Sequence, residues 1–102
     1  TGISGSMAQK VAEKLACVSF SASGGYQCVV ITHLPQIAAM ADSNVYIEKV
    51  QESGRTHTCV TQLNRDGKQK EVARLMGSVG EHSLSGALEL IEWCDNFKNN
   101  RI

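Results

Sequence analysis

A short apolar run that ends at a histidine is the feature that most constrains how this chain of 102 residues can fold. Residues 27–32 are almost continuously apolar and lack the alternation of a half-exposed strand. Such a run predicts a strand covered on both faces, as in the parallel sheet of an α/β protein. His33 follows directly, and Pro35 suits the first turn of a helix, where its missing N–H costs nothing. His33 is therefore predicted to lie at the carboxyl end of a strand, where α/β sheets bind ligands.

Helices are predicted on both sides of this run. Residues 6–19 carry apolar side chains at helical spacing after a capping-box pattern led by Ser6. The stripe expected to face the core consists of Met7, Val11, Leu15 and Val18. A second helix is expected to begin at Pro35, and a third to run from a cap at Asp66 to a glycine stop at Gly77.

The remaining segments predict a β-hairpin and a terminal helix. Residues 44–50 and 55–63 alternate in polarity around a glycine-containing loop, which favours a hairpin with one solvated face. A helical apolar stripe begins after Ser83. Its members are Leu84, Ala87, Leu88, Ile91 and Cys94, with Trp93 on the flank. The polar tail 96–102 is expected to fray.

The predicted elements form a single α/β segment, residues 1–102, without an internal repeat. A buried strand at 27–32 needs parallel neighbours, which the chain does not evidently supply. We therefore expect a piece of a larger fold, an incomplete sheet with flanking helices and a β-hairpin. An uncovered strand edge pairs readily with another chain, so self-association is expected.

Charge and hydropathy narrow the choice of partners. Ten Lys and Arg balance ten Asp and Glu, and the basic residues are scattered along the chain. Nucleic-acid modules usually concentrate basic side chains because phosphate contacts dominate their affinity. This segment is therefore a poor candidate for direct DNA contact. No apolar run approaches the length needed to span a membrane.

The four cysteines, at positions 17, 28, 59 and 94, lack the short spacing of a metal or redox motif. His57 and Cys59 would share one face of a strand, but no second pair completes a tetrahedral site. No metal is therefore expected. Reduced thiols and the lack of a signal-peptide pattern indicate a cytoplasmic protein.

Two places in the chain could carry chemistry. His33 could hydrogen-bond an anionic ligand at the end of its strand, although a structural role is equally open. Residues 1–5, Thr-Gly-Ile-Ser-Gly, form a small-residue loop that opens a helix, and alone they favour an ordinary flexible helix entry. The serine-hydrolase pattern G-x-S-x-G is not met because Ser6 stands where glycine is required. Ser4 is therefore not expected to be a nucleophile.

Together these two places resemble the RecN family, bacterial DNA repair relatives of the SMC proteins with an ABC-type ATPase head. In that family the D-loop reads Asp-Thr-Gly-Ile-Ser-Gly, and the switch histidine follows in Ile-Thr-His-Leu-Pro-Gln. Residues 1–5 and 31–36 match these motifs in order and separation. Residues 71–77, Glu-Val-Ala-Arg-Leu-Met-Gly, look like the family's Glu-x-Ala-Arg-Met-Leu-Gly. After Gly77 the chain departs from the family's pattern.

The resemblance implies the C-terminal part of a P-loop NTPase head, with the D-loop at 1–5 and the switch-histidine loop at 32–36. It implies that His33 senses the γ-phosphate of ATP and that the D-loop reaches a second head in a homodimer. The D-loop residues are Thr1, Gly2, Ile3, Ser4 and Gly5. For the complete protein it implies ATP and Mg²⁺ as cofactors, DNA contact through other parts, nucleoid association and double-strand-break repair.

Several motifs of such a head are absent from this chain. Walker A, Walker B and the ABC signature, which the family places before the D-loop, do not occur. By resemblance, ATPase activity belongs to the parent protein, and this chain alone is expected to be inactive. Two alternatives remain open: a small α/β interaction module in which His33 is structural, and the head segment of another SMC-like ATPase.

Overall fold

The computed structural model describes residues 4–20, 24–77 and 81–101. The elements are α1 (Gly5–Val18), α2 (Pro35–Met40), β1 (Val45–Glu52), β2 (Arg55–Gln62), α3 (Arg65–Leu75) and α4 (Glu81–Asn100). The strands form a two-stranded antiparallel sheet. The mixed α/β arrangement, with a β-hairpin and flanking helices, is as predicted from the sequence.

The four helices enclose the core. Helices α2 and α4 each contact all three other helices within the described part of the chain. The core is lined by alanines on α1 and α2 and by larger side chains on α3 and α4, of which Val72, Ile91 and Cys94 are the largest fully buried. Small side chains allow α1 and α2 to pack closely, because the distance between helix axes depends on the residues at the contact.

Helix α1 differs from the prediction in its N-cap and in its buried face. Its N-cap is Ser4, whose Oγ accepts a 3.3 Å hydrogen bond from the amide of Met7, so the predicted capping box led by Ser6 is wrong. The helix buries an alanine face made of Ala8, Ala12 and Ala16. The predicted stripe lies to one side of that face, and Met7 and Val18 are each 51% exposed. The alanine face fits the short helix α2, and nothing in the described residues covers Met7 and Val18.

The predicted buried strand at 27–32 is also wrong for this chain. Residues 24–34 have no regular secondary structure, and Val29 and Ile31 are 86% and 97% exposed. A central strand is held by hydrogen bonds to neighbours on both edges and by packing on both faces. None of the described segments supplies a neighbouring strand, so this apolar segment stays open to solvent.

The hairpin forms as predicted, in a register that pairs Val45 with Gln62 and Glu52 with Arg55. The two-residue turn has positive φ at Ser53 (52°) and Gly54 (76°), as a type I′ turn requires. The prediction of one solvated face is wrong, because both faces are largely exposed. No Cα atom of either strand lies within 8 Å of a helix Cα in the described residues, so the hairpin projects from the helical body.

The ends of α3 and α4 agree with the predictions only in part. Asn64 caps α3 in place of the predicted Asp66, since its Oδ1 accepts a 2.8 Å hydrogen bond from the amide of Gly67. Gly77, with φ of +80°, stops the helix as predicted. The tail predicted to fray instead continues α4 to Asn100.

Long-range contacts anchor that tail. The Arg101 guanidinium donates a 3.0 Å hydrogen bond to the carbonyl of Ala16, and it lies 4.6 Å from the centre of the Phe20 ring. One turn earlier, Lys98 contacts the residues that follow α2. These contacts offset the conformational entropy that favours fraying of a polar helix end.

Candidate functional site

The predicted switch-histidine loop, residues 32–36, connects the exposed apolar segment to α2. The Thr32 hydroxyl accepts a 3.0 Å hydrogen bond from the amide of Leu34, which shapes the loop. Leu34 is the N-cap of α2 in extended geometry, and Pro35 is the first helical residue, as predicted. His33, between Thr32 and Leu34, is solvent-exposed. Its imidazole is therefore open to a ligand outside the chain.

The start of the predicted D-loop helix lies beside the start of the helix that follows His33. A Cβ atom built on Gly5 would lie 3.5 Å from Nε2 of Gln36, and α1 packs along α2. Of the predicted D-loop residues, Ser4 and Gly5 are placed in this way. Thr1, Gly2 and Ile3 lie outside the described residues. The fold thus brings together the parts of the two motifs that it describes.

Side chains from outside helix α2 hydrogen-bond carbonyls at its C-terminal end. The carbonyl of Ala41 accepts hydrogen bonds from Nζ of Lys68 at 2.7 Å and Nζ of Lys98 at 3.2 Å. One turn earlier, the carbonyl of Ala38 accepts a 2.8 Å hydrogen bond from the side-chain amide of Asn44. Carbonyls at a helix C-terminus lack partners within the helix, and cations interact favourably with them. No local sequence pattern indicates these contacts, because the two lysines are distant from Ala41 in the chain.

The surroundings of Lys68 are electrostatically unusual. The side chain is almost fully buried, and this burial, with the nearby charge of Lys98, lowers the pKa of its ammonium group. The negative charge of Asp95 instead raises the pKa of Lys68. The Asp95 carboxylate also forms a 2.8 Å ion pair with Arg65. Lys98 in turn pairs with Asp42 at 3.0 Å. This polar cluster therefore joins the end of α2 to α3 and α4.

A surface depression lies near this cluster and does not include His33. Its volume is about 520 Å³. It is lined by Phe20, Asp42, Asp95, Lys98, Asn99 and Arg101. None of the loop residues 32–36 contributes to it. The exposed switch loop is therefore separate from this depression.

The structure places the remaining predicted candidates apart. Nε2 of His57 lies 3.7 Å from a carboxylate oxygen of Glu52 on the facing strand of the hairpin. In the described residues no group of three or more His, Cys, Asp and Glu side chains could hold a metal ion. Cys17 and Cys28 are exposed, whereas Cys94 is buried, and burial raises its pKa to about 11. None of the helices in the described ranges has the length and apolar character that crossing a membrane requires.

Comparison with curated proteins defines the class of this chain: it is related to bacterial DNA repair proteins. It is 43% identical over 100 residues to the DNA repair protein RecN of Bacillus subtilis, which covers 96% of this chain. It is 40% identical over 91 residues to RecN of Deinococcus radiodurans and over 92 residues to RecN of Rickettsia bellii, each covering 88% of it. The chain belongs to the RecN family.

The chain spans only 15–17% of the length of these relatives. No protein-family model matches it. The resemblance seen in the motifs at 1–5 and 31–36 is thus confirmed at the level of the family, and the roles of the individual residues stay predictions.

Proposed function

We propose that this chain forms the C-terminal part of the ATPase head of a RecN-type protein of double-strand-break repair. In that head it supplies the switch histidine, His33, and the D-loop, residues 1–5. Its partners are the remainder of its own head and a second head in a homodimer, while DNA is contacted by other parts of the protein. We place the complete protein in the cytoplasm, in association with the nucleoid.

The observation that carries this proposal is the exposed apolar segment leading into His33. Val29 and Ile31 lie almost wholly in solvent, and burying such side chains stabilises a protein by about 1.5–3 kcal/mol each. The outward side of α1, with Met7 and Val18, is about half exposed. Strands and helices from the rest of a head would cover both surfaces and hold the segment before His33 in a sheet.

The geometry of the loop supports the proposed role of His33. The imidazole is exposed beside the first turn of α2, and the start of α1 is adjacent through Gly5 and Gln36. In a complete head, bound ATP with Mg²⁺ supplies the phosphate that is transferred. His33 would hydrogen-bond a terminal phosphate oxygen and stabilise charge there. The D-loop, with its small residues, would allow close approach of the second head.

The decisive experiment uses the complete protein that contains this segment. We expect His33→Ala to lower kcat for ATP hydrolysis by about 100-fold, as loss of one donor to a transition state does elsewhere. ADP affinity should change little, because ADP lacks the γ-phosphate. His57→Ala is the matched control, since His57 lies on the projecting hairpin. Equal turnover by the two variants would refute the role of His33.

The purified chain on its own tests whether this segment can hydrolyse ATP without the other motifs of the head. It has no Walker A or Walker B motif. We therefore expect the purified chain, given ATP and Mg²⁺, to release no more phosphate than a protein-free blank. ATP hydrolysis that co-elutes with the chain in several chromatography steps would contradict the assignment to an incomplete head.

A further inference from the structure

The Lys98 side chain of helix α4 reaches the C-terminal end of α2. Its Nζ donates hydrogen bonds to the Ala41 carbonyl at 3.2 Å and to Oδ1 of Asp42 at 3.0 Å. The side chain is only 11% exposed, so the ammonium group is held among protein atoms. Lys68 of α3 donates to the same carbonyl at 2.7 Å. Helices α2, α3 and α4 therefore meet at one backbone oxygen.

This meeting point matters because α2 is short. It has six residues, which corresponds to a length of about 9 Å. A helix of that length is unstable by itself, so tertiary contacts set its position. Its N-terminal end has no side-chain cap, since Leu34 occupies the N-cap position. The contacts at Ala41 thus hold the end of α2 that lies opposite His33.

We propose that Lys98 is a positioning residue for His33, acting through α2. A displacement at Ala41 is expected to reach the loop across about 9 Å of helix, because the hydrogen bonds within α2 link its two ends. Loss of the Lys98 contacts would let α2 and the switch loop sample more orientations. Through Lys98, the terminal helix α4 would help to position the switch loop. This role rests on the proposed function of His33.

The first test measures how firmly α2 is held, in the complete protein without nucleotide. Hydrogen exchange read by mass spectrometry would follow the backbone amides of residues 34–41. We expect Lys98→Met, which keeps the aliphatic stem, to speed exchange there several-fold, and Lys98→Arg to restore most of the protection. Lys70→Met is the matched control, because Lys70 is exposed and forms an ion pair with Asp66 within α3. Unchanged protection in Lys98→Met would overturn the proposal.

The second test asks whether this positioning reaches the chemistry. We expect Lys98→Met to lower kcat for ATP hydrolysis by about 10-fold, since small misplacements of a reacting group are costly. The KM for ATP should stay within about twofold, because the contact is remote from the ligand. A general loss of folding would instead lower the fraction of active protein, which active-site titration detects.

Combining the variants separates a positioning role from independent effects. If Lys98 acts through His33, the variant with both Lys98→Met and His33→Ala should lose no more kcat than His33→Ala alone. Additive losses would overturn the proposal. Full activity of His33→Ala would refute the proposed function and with it the role of Lys98 in turnover. The hydrogen-exchange result would still decide whether Lys98 holds α2.

Discussion

The Nζ atom of Lys68 donates a 2.7 Å hydrogen bond to the carbonyl oxygen of Ala41 from an almost fully buried position. Burial first, and the charge of Lys98 second, lower the pKa of this ammonium group from its ordinary value of 10.5. The folded chain therefore carries a buried cation whose desolvation opposes folding.

The first prediction concerns the pH dependence of stability. Between the lowered pKa of the folded state and 10.5, the unfolded chain binds more protons at Lys68 than the folded chain does. The free energy of unfolding contributed by this group should therefore rise with pH across that interval. We expect the stability of the wild type relative to Lys68→Met to increase on going from pH 8 towards pH 10.5.

Urea denaturation followed by circular dichroism, at several pH values, measures this difference. Lys70→Met controls for the loss of a lysine charge, because Lys70 is exposed. A difference between wild type and Lys68→Met that is flat or falls with rising pH would show that burial does not dominate at Lys68.

The second prediction concerns the thiols. Cys94 is fully buried on α4, and burial raises its pKa to about 11, so almost no thiolate is present at neutral pH. We expect brief treatment with iodoacetamide at pH 8 to modify Cys17 and Cys28, which are exposed, and to leave Cys94 unmodified. Peptide mass spectrometry gives the site-by-site yields. In urea all the thiols should react, and modification of native Cys94 as fast as Cys17 would contradict its burial.

The same buried thiol gives a stability effect of the opposite sign to that of Lys68. Its pKa rises from 9.0 to about 11 on folding, so the folded state binds more protons in that interval. Its contribution, on the order of 2 kcal/mol, is present below pH 9 and is lost as the pH rises through 11. The Cys94→Ala variant lacks this pH-dependent contribution.

The third prediction concerns self-association through the apolar segment. Unpaired backbone and exposed side chains at Val29 and Ile31 make this segment a template for strand pairing. We expect the mass of the chain in light scattering to rise above 11.0 kDa as concentration increases. A variant with Val29→Lys and Ile31→Lys should stay monomeric, since charged side chains block edge pairing.

The matched control for this experiment adds the same charge elsewhere. Thr56→Lys with Thr58→Lys places two lysines on the exposed strand β2 and should still associate. A constant monomer mass for the wild type over a wide concentration range would refute self-association.

The fourth prediction concerns the hairpin turn. Ser53 has φ of 52°, in the left-handed region that asparagine tolerates better than serine, and Gly54 follows with φ of 76°. Asn-Gly is the preferred pair of a type I′ turn. We expect Ser53→Asn to stabilise the hairpin by a few tenths of a kcal/mol and Gly54→Ala to destabilise it by about 1 kcal/mol. Hydrogen exchange of the strand amides would report both changes, and protection that rises in Gly54→Ala would contradict the turn type.

Much of the fold follows from local patterns, which the sequence displays directly. The hairpin follows from alternation around Ser53 and Gly54, and the stop of α3 follows from Gly77, because positive φ favours glycine at both places. The buried side of α4 follows from the spacing of Ala87, Ile91 and Cys94. In each case the pattern that supports the prediction lies within a few residues along the chain.

The candidate site was predictable only in part. Its motifs at 1–5 and 31–36 identify the family. The predicted start of α2 at Pro35 is also confirmed. The buried face of α1 was missed, because Met7 is larger and more apolar than Ala8 and helical spacing alone cannot tell which face a neighbour will cover.

By itself the sequence determined the order of most elements, the turns and the family, because these depend on local backbone preference and on motif identity. The tertiary structure decided that residues 27–32 form no strand here, since a strand needs partners along its edges. It also decided that Lys68 and Lys98, 27 and 57 residues from Ala41, bind one carbonyl at the end of α2. Such contacts arise only when distant segments pack together, and no local pattern encodes them.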